Sequence, residues 1–157
     1  MTDRYPTDRY LDDLAIGETW TGQPFVLSQA EILDFARAYD PQPMHVDLEV
    51  AAAGRFGGII ASGWHVASRV MREYVDTAPF GATPMLGIRI DELTWLKPVG
   101  PGDALTVHRE IVEVARSRSK PDRGTIRTFT RVTNQHGEPV LTFFNLIQMP
   151  AHAGVTL

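Results

Sequence analysis

The chain has 157 residues, of which 43% are hydrophobic and 22% charged, so we expect one globular domain with a sizeable core. The formal net charge of −4 supplies no large basic surface, which argues against nucleic-acid binding. The chain contains no Cys, which excludes disulfides, thiolate metal sites and a Cys nucleophile. It shows no signal-peptide pattern and no apolar run of roughly 18 residues. We therefore expect a cytoplasmic protein with no membrane partner.

The first part of the chain predicts an arm, a strand and a helix. Residues 1–15 are mostly polar and predict a flexible N-terminal arm, followed by a single domain over residues 16–150 and a tail over 151–157. A strand is predicted from Ile16 to Phe25. The run Ser28-Gln29-Ala30-Glu31 is a capping box, which predicts a helix that begins at Ser28. Apolar residues then recur with helical spacing, at Ile32, Phe35, Ala36 and Tyr39.

This helix should end at Asp40, because Pro41 follows. Two prolines separate Asp40 from His45, and both restrict the backbone to a stiff, non-repetitive loop. Asp and His form a natural acid/base pair, since His titrates near neutrality and a carboxylate can fix its tautomer. If the loop curls back to hold one water between them, their polar atoms should approach to roughly 5–6 Å, the length of two hydrogen bonds. The alternative is an ordinary helix stop in a surface loop.

A second candidate site precedes the longest helical pattern. After a short predicted helix from Leu48 to Ala53, apolar residues from Ser62 to Asp76 form a stripe wide enough to bury most of a helix. Ser62 is the N-cap by residue type, and Gly63 lies where backbone N–H groups lack helical partners. An N–H at such a position can donate to a developing oxyanion. Ordinary capping and close packing are the alternative.

The second half of the chain predicts four strands. They are expected near Leu86–Asp91, Ala104–Ala115, Thr125–Thr133 and Val140–Met149, and the last is apolar on both faces, as is typical of an interior strand. Segregation of helices from strands favours an α+β fold. We expect the hot-dog fold, in which a curved antiparallel sheet is wrapped around a central helix, here Ser62–Asp76.

Three motifs in this order resemble the MaoC-like dehydratases, or (R)-specific enoyl-CoA hydratases, of the hot-dog superfamily. They are the Asp40-Pro41-Gln42-Pro43-Met44-His45 stretch, Gly63 opening the central helix, and the turn Pro98-Val99-Gly100-Pro101-Gly102-Asp103-Ala104-Leu105. The resemblance covers about residues 16–149. Gln42 stands where the family usually has Asn, and Tyr39 where it usually has Gly or Ser. These departures concern the geometry of the loop and the size of the substrate.

The resemblance implies a hydro-lyase that acts on a trans-2-enoyl-CoA or (R)-3-hydroxyacyl-CoA thioester. Asp40 and His45 would hold the reacting water, and the Gly63 N–H would bind the thioester oxygen with Ser62 and Gln42 nearby. No cofactor is implied, because CoA is carried by the substrate. The family also implies a homodimer or higher homo-oligomer, with the sheets of two subunits joined edge to edge.

The other candidates for chemistry are weaker. The remaining histidines show no metal-ligand spacing, so we expect no metal site. Asp47 either orients His45 or faces solvent. A basic run in the turn after the second long strand is typical of a solvated hairpin tip, with CoA phosphates as the alternative partner: Arg116, Arg118, Lys120 and Arg123. A hot-dog thioesterase and a non-catalytic acyl-CoA-binding subunit remain alternative functions.

Overall fold

Strands make up most of the second half of the chain in the computed structural model, which describes residues 7–152. The sheet is antiparallel and has the order β1-β4-β5-β6-β3, with the short β2 paired to β4 beside this path. Its strands are β1 (Thr19–Thr21), β2 (Phe25–Val26), β3 (Leu86–Trp95), β4 (Ala104–Arg116), β5 (Arg123–Thr133) and β6 (Pro139–Pro150). β6 lies inside the sheet, as predicted. The single strand expected over Ile16–Phe25 is divided into β1 and β2.

Four helices lie between β2 and β3: α1 (Gln29–Tyr39), α2 (Pro43–Val46), α3 (Leu48–Ala53) and α4 (Gly63–Thr77). The capping box at the start of α1 is present, since Ser28 Oγ accepts from the Glu31 N–H and a Glu31 carboxylate oxygen accepts from the Ser28 N–H. The loop expected to be non-repetitive contains the one-turn helix α2. Within residues 7–152, no helix is long and apolar enough to cross a membrane.

The core lies between one face of the sheet and the helices. Alternate residues of β4 and β5 are buried on this face, among them Leu105, Val107, Ile126 and Val132. Val66 and Val70 of α4 belong to the same buried cluster as these strand residues, apart from Ile126, which packs in a second cluster nearer the chain termini. This arrangement of antiparallel sheet and central helix is the predicted α+β hot-dog fold.

The described part of the predicted arm packs against the sheet. Leu11 and Leu14 are buried in the second cluster, and Arg9 forms an ion pair with Glu18. At the other end of the chain, the His152 backbone N–H donates to Asp12 at 2.7 Å. Residues 1–6 of the arm and 153–157 of the tail lie outside the described residues.

One face of the chain is more exposed than its sequence pattern predicts. Leu86, Ile88 and Ile90, expected in a half-buried strand, are 64%, 50% and 54% exposed because β3 is an edge strand. On α4, Trp64 and Met71 are also more than half exposed, so the stripe expected to bury most of this helix is only partly covered. Helix periodicity identifies an apolar face but not what covers it. An open apolar strand edge beside an apolar helix face marks a surface that other chains can cover.

A buried ion pair joins α4 to the sheet. Arg109 of β4 donates to a Glu73 carboxylate oxygen at 2.6 Å and to the Val70 carbonyl at 3.1 Å, and both charged side chains are less than a tenth exposed. Thr77 donates to the other Glu73 oxygen at 2.6 Å. Gly22 leaves the space that Glu73 occupies, because a Cβ there would collide with the carboxylate. Removing one partner of such a pair typically costs about 3–5 kcal/mol, since the other charge stays buried.

Candidate active site

Asp40 lies at the C-cap of α1, where the helix sets the position of its carboxylate. Pro41 then prevents the helix from continuing. Ser62 Oγ donates to Asp40 Oδ2 at 2.6 Å, and the Gln42 amide donates to Oδ1 at 2.7 Å. The hydrogen bond from Ser62, supported by the bond from Gln42 and by the nearby His45, lowers the pKa of Asp40 despite its partial burial. Asp40 is therefore a carboxylate at neutral pH.

His45 belongs to the one-turn helix α2 and is buried. Its Nδ1 lies 2.8 Å from the carbonyl oxygen of Ile60. A carbonyl oxygen only accepts, so Nδ1 carries a proton in this contact. In neutral His45 the lone pair is consequently on Nε2, the nitrogen that faces Asp40.

The loop brings Asp40 and His45 together, as the sequence predicts. The distance from His45 Nε2 to Asp40 Oδ2 is 3.6 Å, and the two side chains are only 5% and 20% exposed. This separation is shorter than the roughly 5–6 Å expected for a water placed in line between them. A water that contacts both atoms must therefore sit beside the pair, at the apex of a triangle.

Ser62 and Gly63 open α4, as predicted, but Ser62 does not cap it with its side chain. Its hydroxyl donates to Asp40 instead, so the serine joins the end of α1 to the start of α4. Within residues 7–152, the Gly63 N–H has no hydrogen-bond acceptor. This donor at a helix N-terminus carries a partial positive charge.

Trp95, which the sequence did not identify, packs against Gly63. A Cβ on Gly63 would collide with the Trp95 indole, and Trp95 also contacts Trp64 edge to face at 5.1 Å. Glycine at position 63 is therefore required by the close approach of an aromatic ring. Residues 63 and 95 belong to different elements, so no local pattern could have revealed this contact.

A cleft of about 390 Å³ is lined by all five predicted site residues: Asp40, Gln42, His45, Ser62 and Gly63. This volume lies within the range of small-molecule sites. Trp64, Trp95 and several apolar side chains form other parts of the wall. Asp47 is not part of this cleft, because its carboxylate accepts from the N–H groups of Glu49 and Val50 and caps α3.

Two cations at the cleft were also missed by sequence reasoning. Arg55 lies over the Phe56 ring, 4.7 Å from its centroid, and has no acidic partner within residues 7–152. Lys97 lines the same cleft and forms an ion pair with Glu138. The predicted basic run lines no part of this cleft, and two of its members already bind acids: Arg116 contacts Asp12 and Arg123 contacts Asp122. In the described part of the chain, no group of three His, Asp or Glu side chains is arranged to hold a metal.

Comparisons with known proteins show which family this chain resembles. The family model described as a MaoC like domain matches residues 13–134. The uncharacterized protein YdeM of Bacillus subtilis is 34% identical over 110 residues, which are 70% of this chain and 78% of YdeM.

Two solved structures relate the fold to named proteins. The MaoC-like dehydratase of Rhodospirillum rubrum has a TM-score of 0.82 and 34% identity, covering 92% of this chain and 98% of that one. The unliganded (R)-hydratase PhaJ1 of Pseudomonas aeruginosa has a TM-score of 0.74 and 25% identity, covering 91% of this chain and 86% of that one. The chain belongs to the MaoC-like dehydratase family of the hot-dog superfamily.

Proposed function

We propose that this protein adds water to a trans-2-enoyl-CoA, or removes it from an (R)-3-hydroxyacyl-CoA. The observation that carries the proposal is the 3.6 Å approach of His45 Nε2 to Asp40 Oδ2 in a cleft that also contains the Gly63 N–H. A basic nitrogen, a carboxylate and an oxyanion donor are the groups that hydration of a conjugated thioester requires.

The protonation pattern suggests which group takes the proton from water. Asp40 is a weak base because Ser62 and Gln42 stabilise its charged form. Neutral His45 has its lone pair on Nε2, so we assign the proton acceptor to His45. As the water oxygen bonds to the β-carbon, its proton moves to Nε2, and the carboxylate of Asp40 stabilises the imidazolium. The imidazolium then returns a proton to the α-carbon.

Negative charge develops on the thioester oxygen while the β-carbon is attacked. The Gly63 N–H, at the positive end of α4, is the donor we assign to this oxygen. Loss of one such donor typically costs about 100- to 1000-fold in turnover. Ser62 and Gln42 act through Asp40 in this scheme, because both direct their donors at its carboxylate.

Removal of either member of the pair should abolish most of the activity. We expect Asp40→Asn and His45→Gln each to lower kcat for enoyl-CoA hydration by at least about 100-fold, because general acid–base groups contribute roughly 100- to 10,000-fold. The double variant should be little worse than either single one, since residues that act as a unit are non-additive. The loss of conjugated-thioester absorbance measures the rate.

Asp34→Asn, on the exposed face of α1, is the matched control and should retain parent activity. A folded Asp40→Asn protein that hydrates at close to the parent rate would contradict the proposal. Release of free thiol from a saturated acyl-CoA would favour a thioesterase. Binding of enoyl-CoA without turnover would favour a non-catalytic subunit.

The ionisation of Asp40 should depend on Ser62. In Ser62→Ala the main donor to the carboxylate is lost, so the pKa of Asp40 should rise towards its ordinary value. Carboxyl ¹³C NMR titration measures this shift. Because the pKa of Asp40 is lower in the folded than in the unfolded protein, its ionised carboxylate stabilises the fold at pH values above the unfolded-state pKa. This stabilisation is lost as the pH falls through the folded-state pKa. The variant should therefore lose less stability on acidification, whereas Ser68→Ala, whose hydroxyl donates to the Trp64 carbonyl, should titrate like the parent.

We assign Arg55 to the phosphates of CoA. It is a cation at the cleft without an acidic partner in the described part of the chain, and guanidinium groups bind phosphates in bidentate geometry. The assignment can be tested by separating the nucleotide part of CoA from its pantetheine part. Arg55 should matter for a CoA thioester and not for a pantetheine thioester, which lacks the nucleotide phosphates.

The expected effect of Arg55→Gln is an increase in KM for enoyl-CoA of about tenfold, with kcat little changed, because a charged hydrogen bond far from the reacting carbons is lost. KM for the matching enoyl-pantetheine should stay the same. Arg37→Gln, outside the cleft on α1, is the control. An equal increase in KM for both thioesters would show that Arg55 has no role specific to phosphate.

We further propose that the open apolar face pairs two copies of this chain. β3 is an edge strand, and its exposed apolar side chains meet those of α4 where Trp95 contacts Trp64. Pairing of two β3 strands would join the sheets and cover Trp64, which lines the catalytic cleft. The substrate site would then lie near the subunit interface.

Sedimentation at micromolar concentration should therefore give a dimer or a larger assembly of the parent chain. Ile88→Glu, on β3, should shift it towards monomer, because a charge would be buried at the interface. Ile16→Glu changes a still more exposed isoleucine near the other end of the sheet and should have no effect. A parent chain that sediments as a monomer would contradict the proposal.

A further inference from the structure

The sheet face beneath α4 carries polar residues where apolar ones are expected. Inward positions of β5 alternate as Ile126, Thr128, Thr130 and Val132, all nearly fully buried. Strand register places Arg109 opposite Thr130 and Asn145 opposite Thr128, so the four polar residues are neighbours across β4, β5 and β6. We call this set, Arg109, Thr128, Thr130 and Asn145, the polar row.

The polar row lines a cavity of about 160 Å³ between α4 and the sheet. A cavity of this volume accommodates a group of roughly the size of benzene. Most of the other lining residues are apolar or aromatic, including Val70, Phe80 and Phe143. Trp64 lines both this cavity and the catalytic cleft, so the two adjoin at this side chain.

Several donors in this cavity have no protein partner. Trp20 on β1, directly opposite Arg109, lines the cavity, and its buried indole N–H makes no hydrogen bond. The side chains of Thr128, Thr130 and Asn145 also form no hydrogen bond with any residue in the range 7–152. Buried polar groups are normally paired, and leaving them unpaired is costly. These groups are therefore available to a ligand, and the indole N–H can only donate.

The charge in the cavity wall is already balanced. Arg109 is paired with Glu73 and also donates to the Val70 carbonyl, so the pair adds no net charge. Burial raises the pKa of the Tyr74 phenol, which stays neutral. A carboxylate entering this space would be an uncompensated buried charge, whereas a neutral carbonyl or hydroxyl oxygen would not.

The polar row lies at a defined distance from the reacting end of the site. Arg109 contacts the Val70 carbonyl, and Val70 follows Gly63 by seven residues along α4. At 1.5 Å per residue this is about 10 Å from the proposed oxyanion donor. An acyl chain bound by its thioester at Gly63 would reach the polar row with its distal part.

We propose that the acyl group of the substrate carries a neutral oxygen, a ketone or a hydroxyl, in its distal part, and that the Trp20 indole and the polar row bind this oxygen. The inference deepens the proposed hydratase function by naming the substrate class. It rests on the proposed function only in taking the ligand to be an acyl-CoA thioester. The binding preference itself exists with or without turnover.

Calorimetry with unreactive saturated acyl-CoA thioesters tests the preference in the intact protein. Three ligands of equal chain length are compared, with an alkyl end, a ketone near the end, and a carboxylate at the end. The ketone should bind at least about tenfold more tightly than the alkyl chain, because unpaired donors penalise a ligand that leaves them unsatisfied. Equal affinity of the alkyl chain, or tighter binding of the carboxylate, would overturn the proposal.

Variants test whether the polar row is responsible for the preference for the ketone ligand. Thr128→Val and Thr130→Val together keep the side-chain shape and remove two hydroxyls, and this variant should lose most of the ketone preference. Thr125→Val, on the opposite face of the same strand, should keep it. Thermal unfolding checks that each variant is folded. The Trp20 indole N–H resonance, followed by ¹⁵N NMR, should shift with the ketone ligand more than with the alkyl ligand.

The outcomes separate this inference from the proposed function. Ketone preference in binding without hydration of any enoyl-CoA would refute the hydratase and leave the inference standing. Hydration of alkyl enoyl-CoA, with equal binding of alkyl and ketone chains, would support the hydratase and refute the inference. A Trp20 resonance that does not respond to the ketone ligand would also refute it.

Discussion

The hydrogen bond from Ser62 to Asp40 is the contact on which the site depends. It joins the C-cap residue of α1 to the N-cap residue of α4, although the two are 22 residues apart in the chain. The serine is fully buried, so this bond is protected from water. It fixes one carboxylate oxygen and lowers the pKa of the group, so that Asp40 stays charged beside a buried imidazole. This one hydrogen bond therefore contributes to both the position and the protonation state of Asp40.

His45 is held by the same short stretch of chain that holds Asp40. The Ile60 carbonyl, two residues before Ser62, binds its Nδ1. The segment that precedes α4 thus supplies a donor to the acid and an acceptor to the base. Because both bonds come from one segment, the Asp40–His45 distance is set by the placement of that segment against α1 and α2. Any shift of the helix start would alter both groups together.

Sequence reasoning was accurate where the signal is local. The capping box at Ser28, the stop before Pro41 and the positions of the last three strands rest on neighbouring residues, and the structure agrees with them. The hypothesis of a shared water required the loop to curl back, which it does, but it did not predict that α2 forms or that the approach is 3.6 Å. Those depend on packing against the Ile60–Ser62 segment, which periodicity does not report.

The features that the sequence did not reveal depend on partners distant in the chain. Trp95 belongs to the site because it fills the space above Gly63, and nothing near residue 95 indicates this. The exposure of Leu86, Ile88 and Ile90 follows from the place of β3 at the sheet edge. An apolar face has the same sequence pattern whether its own chain or a second copy covers it. The pattern therefore predicted that these side chains are buried, but not that their own chain leaves them exposed.

The polar row is a second feature that the local sequence pattern could not reveal. Isolated threonines in a strand rich in β-branched residues fit ordinary strand propensity. Only the register, which places Thr130 beside Arg109 and Thr128 beside Asn145, turns them into one patch. A purely apolar sheet face would avoid the cost of burying those hydroxyls and the amide. At this point a cavity separates α4 from the sheet. The polar groups can therefore bind a ligand in the cavity, whereas they do not contribute to the stability of the fold as apolar side chains would.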